Sequence, residues 1–131
     1  MAYEATHYRA GDGPSGIVLQ IGQYSPELAL RYVVSGEESA LFITAFNPLG
    51  VAVTDAANES AHTKLGEILR AAVATVIDGE GADPTGQWPP ERSYLALGVS
   101  AEAARELGRR FKQDAVVWAG TDATPRLLLL R

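Results

Sequence analysis

The stretch Leu41–Pro48, reading L-F-I-T-A-F-N-P, constrains the fold of this chain more than any other. Its apolar run is too continuous for a strand wetted on one face and too short for a buried helix. That leaves a central strand covered on both faces. Asn47-Pro48 closes the run, because proline donates no ladder hydrogen bond and drives the residue before it out of the right-handed helical region. Asn47 is therefore expected to be extended or in a turn at the strand's exit.

A strand buried on both faces needs neighbours and covering layers, and the rest of the sequence supplies them. Tyr3–Arg9 alternates as a strand near an edge does, and the turn cluster Gly11–Gly16 leads into Ile17–Ile21, so a hairpin is expected. The cluster also fits G-x-G-x-x-G. A dinucleotide fingerprint, however, needs a helix to open there, whereas a β-branched apolar run follows. Ser25-Pro26-Glu27 combines a capping hydroxyl, a proline suited to the first helical position and a first-turn acid, which predicts a short helix to about Val34, closed by Gly36. The clearest helix follows the central strand, with Asp55 or Asn58 as its expected N-cap. Its apolar residues, among them Leu65, Leu69, Val73 and Val76, recur at three- and four-residue steps to about Ile77. Glu80–Pro90, which contains Trp88, reads as a long loop. Ser93–Val99 is the next strand, and Ser100 caps another amphipathic helix with Arg109, Arg110 and Lys112 in its last turn. Ala115–Ala119 and Arg126–Leu130 then form a hairpin.

The resulting order, β-β-α-β-α-β-α-β-β, predicts an α+β fold: a mixed, mostly antiparallel sheet with two to three helices packed on it. The 131 residues suffice for a single domain, 1–131, with one substantial core.

Charge and composition narrow the function. A net charge of -5 with no basic stripe of length argues against a nucleic-acid partner and against acidic lipid surfaces. The chain contains no cysteine, so thiolate chemistry and Cys-type zinc sites are excluded, and His7 and His62 alone are too few for a zinc site. No metal or cofactor is expected. No run approaches the roughly 20 apolar residues of a membrane span and no signal-peptide pattern opens the sequence, so a cytoplasmic protein is expected.

Together with F-I-T-A-F-N-P, several residues along the chain stand in an order that resembles a bacterial family, domain of unknown function number 3293. They include Thr6 and Tyr8, Asn58 and Leu65, Trp88, Glu91-Arg92-Ser93, Gly98, and the F-x-Q-D-A run from Phe111 to Ala115. The sequence departs from that pattern at Phe46, Arg92 and Asp114. The resemblance covers nearly the whole chain and implies no reaction, substrate or cofactor.

The candidate ligand-binding residues are Thr44, Asn47, Asn58, Trp88 and Glu91. A strand ending at Asn47 beside a helix beginning near Asn58 would gather polar groups where open sheets commonly bind small ligands. The structural alternative is that Asn47 makes a turn, Asn58 caps the helix and Thr44 is satisfied within the sheet. Glu91, between W-P-P and an apolar strand, is a candidate for partial desolvation and proton transfer, or for a plain salt bridge. It meets the asparagines only if its strand runs antiparallel to the central one. No G-x-S-x-G elbow is present. The expectation is a non-catalytic module binding an unknown small molecule or protein, the alternative a small hydrolase or transferase with Glu91 as general base.

Overall fold

The computed structural model describes residues 6–11, 16–82, 85–86 and 89–130. Among these described residues, seven strands and three helices follow in the order β1 (His7–Ala10), β2 (Ile17–Leu19), α1 (Pro26–Ser35), β3 (Ala40–Ile43), α2 (Asp55–Ala72), β4 (Val76–Ala82), β5 (Glu91–Leu97), α3 (Ala101–Arg110), β6 (Ala115–Ala119) and β7 (Arg126–Leu129), with a 3-10 turn at Pro48–Gly50. The strands form one sheet in the order β2-β1-β4-β5-β3-β6-β7, and every neighbouring pair is antiparallel. The fold is α+β, as the sequence predicts.

β3 is the central strand expected from the L-F-I run: it lies between β5 and β6, and all four of its residues are buried. Its side chains alternate between two cores. Ala40 and Phe42 join Tyr8, Leu19, Leu95 and Val117 on one face, while Leu41 and Ile43 join Leu65, Leu69, Tyr94 and Val116 on the other. The second face is covered by α2 and α3, which contribute Leu65, Leu69 and Ala104. Among the described residues, α1 is the helix that covers the first face, through Leu28, Ala29 and Tyr32.

The helix ends follow local chemistry. Ser25 Oγ accepts from the Leu28 N–H at 3.1 Å, Pro26 opens α1, and Gly36 ends it in the left-handed conformation. Ser100 caps α3 as expected. For α2, neither Asp55 nor Asn58 is the cap. Thr54 takes that position, extended at φ -64, ψ 155, with its side chain accepting from the Ala57 N–H. Asp55 stands in the first turn and Asn58 one turn inside.

The principal departure from expectation is β4. The helix ends at Ala72, and Val73 is already extended at φ -136, ψ 158; Val76 and Ile77 belong to a strand, which continues through Ala82 and so takes in the first three residues of the expected loop. Three β-branched residues within Val73–Val76 stiffen χ1 and favour extended backbone, outweighing the helical spacing of Val73 and Val76. Gly79 and Gly81 disguise the strand. Gly79 is required, because a Cβ there would run into the Arg9 carbonyl oxygen of β1 and come within 3.1 Å of the Phe42 ring.

Candidate functional site

The cleft begins where α1 stops. Ten residues of helix span only about 15 Å, and Tyr32 anchors α1 at the Ala119–Gly120 end of the sheet, donating to both carbonyls at 3.2 and 2.9 Å. Among the described residues, no helix covers the opposite end of that face, at the exit of β3. Gly79 and Gly81 add no side chains there, and a cleft of about 440 Å³ results, with Tyr8, Phe42 and Phe46 among its aromatic walls. Tyr8 and Phe42 meet edge-on, their centroids 5.3 Å apart.

At the rim the chain turns sharply. Asn47 (φ 47), Leu49 (φ 58) and Gly50 (φ 72) are all left-handed. Pro48 bars Asn47 from the right-handed helical region, and asparagine tolerates the left-handed one better than other side chains bearing a Cβ. Leu49 has no such tolerance, and a non-glycine residue held there costs about 1–3 kcal/mol. The surroundings hold the turn in place. The Leu49 N–H donates to the Lys112 carbonyl at 2.6 Å, and Gln113 Nε2 donates to the Phe46 carbonyl at 3.1 Å.

Asn58 fixes Asn47 from below. Its Oδ1 accepts from the Asn47 backbone N–H at 2.9 Å, and its Nδ2 donates to Asn47 Oδ1 at 3.0 Å. Asn47 Nδ2 in turn donates to Glu91 Oε2 at 3.2 Å. The antiparallel register pairs Ile43 with Tyr94, which carries the start of β5 to the exit of β3 and brings Glu91 to Asn47. Burial pushes the Glu91 carboxyl above its ordinary value, opposed by the hydrogen bond from Asn47. Thr44 lines the cleft, with its hydroxyl donating to the Arg92 carbonyl at 2.8 Å and accepting from the Phe46 N–H at 3.1 Å.

Of the residues singled out in the sequence, Thr44, Asn47 and Glu91 thus line one cleft. Asn58 lies behind it, 6% exposed, and acts through Asn47. Trp88 lies outside the described residues. Arg92 turns from the cleft to Glu59, 2.6 Å away on α2.

Sequence reasoning weighed His62 only as a metal ligand and did not place it beside the site. It is 3% exposed, stacked on Tyr94 with centroids 4.3 Å apart and edge-on to Phe46 at 6.0 Å. Burial, with Arg92 nearby, lowers its affinity for a proton. Its one-turn spacing from Asn58 was the available signal, since residues four apart share a helix face. Among the described residues no group of three or more His, Asp or Glu side chains could hold a metal ion, and no helix is long and apolar enough to cross a membrane.

Residues 43–116, more than half of the chain, match the family described as "Protein of unknown function (DUF3293)". The chain belongs to the DUF3293 family. No curated protein and no solved structure matches it. The DUF3293 match runs from the last residue of β3 into β6 and so contains Thr44, Asn47, Asn58 and Glu91. Of the described residues that line the cleft, Tyr8, Phe42, Val117 and Leu127 stand outside it.

Proposed function

We propose that this DUF3293 domain is a non-catalytic module that binds a small molecule in the cleft at the exit of β3. The observation that carries the reading is a cleft of about 440 Å³ with aromatic walls and a pre-positioned Asn47–Glu91 pair. A largely apolar pocket with a few fixed polar groups is the usual form of a small-molecule site. The hydroxyls of Thr44 and Ser93 both donate to backbone carbonyls, at 2.8 and 3.0 Å, so neither is poised as a nucleophile, and no histidine lines the cleft.

The test is a screen of small aromatic fragments against the 15N-labelled protein, read by amide shifts. Shifts should cluster at Gly81, Asn47, Glu91 and Gln113. They should vanish in Gly81→Val, which fills the cleft wall at a strand position where a Cβ has ordinary contacts, 3.7 Å from the Tyr8 ring. Fragment shifts elsewhere on the sheet, or shifts that survive Gly81→Val, would refute the reading.

One observation favours a second reading. A carboxyl raised by burial and oriented by an amide is suited to act as general base on a water molecule, which would make this a hydrolase. Turnover of an ester, amide or phosphoester panel that falls at least about a hundredfold in Glu91→Gln would support it.

A further inference from the structure

His62 is a buried titratable side chain that the hydrogen bonds of the cleft do not use. Its ring lies flat against Tyr94, the planes 8° apart and the centroids 4.3 Å apart, and it meets Phe46 edge-on at 6.0 Å. Tyr94 is held where it is. Gly66, one turn along α2, leaves a notch in which a Cβ would meet the Tyr94 hydroxyl, and that hydroxyl donates to the His62 carbonyl at 3.2 Å. Phe46 carries the stack to the cleft: it lines the cleft, and its N–H and carbonyl make the bonds to Thr44 and Gln113. Asn58, one turn before His62 on the same face of α2, makes the two bonds to Asn47. His62 therefore supports the cleft twice, through a ring contact and through its helix turn.

The surroundings suit a neutral ring and not a charged one. An imidazolium donates from both nitrogens, whereas the buried Nδ1 has no hydrogen-bond partner among the described residues. A proton there would be desolvated and unpaired, which is costly. The charged groups nearby give little relief. Glu59 on α2 is held by Arg92 of β5 at 2.6 Å, and Asp78 of β4 by Arg70 of α2 at 3.6 Å, so each carboxylate comes with a cation of its own. The Tyr94 ring, which could favour a cation through its π electrons, already has the Arg70 guanidinium 5.3 Å from its centroid. Burial first, then Arg92, holds the His62 pKa below its ordinary value, against an opposing pull from Glu59 and Asp78.

We propose that His62 is a proton-sensitive prop beneath the cleft: uncharged, it holds Phe46 and the Asn58 turn of α2 in place, and on taking up a proton it leaves the Tyr94 stack and loosens that wall. Its consequence for function, release of a bound ligand in acid, rests on the cleft being a ligand site. The movement of the wall does not.

The test is an NMR titration of the 13C,15N-labelled protein from about pH 7.5 to about pH 4.5, following the His62 ring and the amides of Phe46, Asn47 and Asn58. The amides should move with the midpoint of the His62 ring, which should lie below 6.5. Glu91 also titrates in acid and accepts from Asn47, so two variants separate the sources. In Glu91→Gln the movement should persist. In His62→Phe, which keeps a flat ring on Tyr94 and takes no proton, it should disappear. Benzamide, neutral throughout this range, supplies the ligand arm: its affinity, read from the same amides, should fall below the midpoint by up to about tenfold per pH unit, the limit for one proton, and stay level in His62→Phe. A His62 ring that does not titrate in this range, or that titrates while Phe46 and Asn58 stay still, would overturn the prop. So would amide movement that survives His62→Phe and vanishes in Glu91→Gln. Benzamide binding equally well at both ends of the titration would overturn acid release alone. Benzamide shifting no cleft amide at any pH would overturn the ligand step and count against the cleft reading, with the proton-linked movement of the wall still measured.

Discussion

Asn58→Ala tests whether the residue is a ligand contact or the support beneath one. In the structure Asn58 is 6% exposed and makes two hydrogen bonds to Asn47, at 2.9 and 3.0 Å. Removing them costs about 1 kcal/mol each, and the partly buried Asn47 N–H, left without a partner, adds about 1 kcal/mol more. Against this, alanine is the better helix former by about 0.6 kcal/mol. The net loss is about 2 to 2.5 kcal/mol. For 131 residues the unfolding entropy is about 0.28 kcal/mol per kelvin, so the melting temperature should fall by roughly 8 °C. Thr63→Ala, at an exposed position of α2, supplies the control: it has the propensity gain without the lost bonds and should be neutral to slightly stabilising. Urea denaturation with unchanged m-values gives the free energies, and a cycle with Asn47→Gly, which keeps the left-handed backbone, should show a coupling of about 1 kcal/mol or more. A drop below 2 °C, or coupling under about 0.5 kcal/mol, would mean the pair is not formed in solution.

Three further outcomes follow from the same coordinates. Gly79→Ala should cost at least about 2 kcal/mol, because its Cβ meets backbone that cannot yield, whereas Gly81→Ala, two residues along β4 with 3.7 Å to its nearest neighbour, should stay within about 0.5 kcal/mol in urea denaturation. Because the folded Glu91 pKa is raised, the native state holds that proton more tightly than the unfolded chain does. Stability from this group is present below the ordinary value of 4.5 and is lost as pH rises through the folded value; Glu91→Gln should therefore gain on the parent between acid and neutral pH, and parallel curves would contradict the burial argument. His62 runs the other way. Its folded pKa is lowered by desolvation and Arg92, so the unfolded chain takes up the proton first, and stability should fall as pH drops through 6.5, less so in His62→Gln.

The parts of this fold legible in the sequence are those fixed within a few residues. The Ser25-Pro26 start and Gly36 stop of α1, the Ser100 cap and the two-faced burial of Leu41–Ile43 all depend on local chemistry, and the structure has them. The parts that stayed hidden depend on distant partners. Gly79 reads as a strand breaker until the Arg9 carbonyl is placed beside it. Asn58 reads as a cap because its true partner, the Asn47 backbone, is eleven residues away across a turn. Thr54, the actual cap, was eclipsed by the acid and amide that follow it.

The hidden strand and the assembled cleft are one matter. Had α2 led directly into β5, the chain would have crossed the sheet's length once and entered β5 parallel to β3, leaving Glu91 at the end opposite Asn47. β4 makes a further traverse: it leaves α2 at Val76, pairs with β5 so that Ile77 faces Leu95 and Gly81 faces Glu91, and reverses the direction in which β5 starts. The same strand then supplies Gly81 to the cleft wall and a place at Gly79 for the Phe42 ring. Glycine in a strand interior sacrifices about 0.5–1 kcal/mol relative to alanine. Two within three positions of a strand are therefore tolerable only where the absence of side chains serves the geometry, at Gly79 for the close approach of β1 and at Gly81 for the open volume beside Glu91.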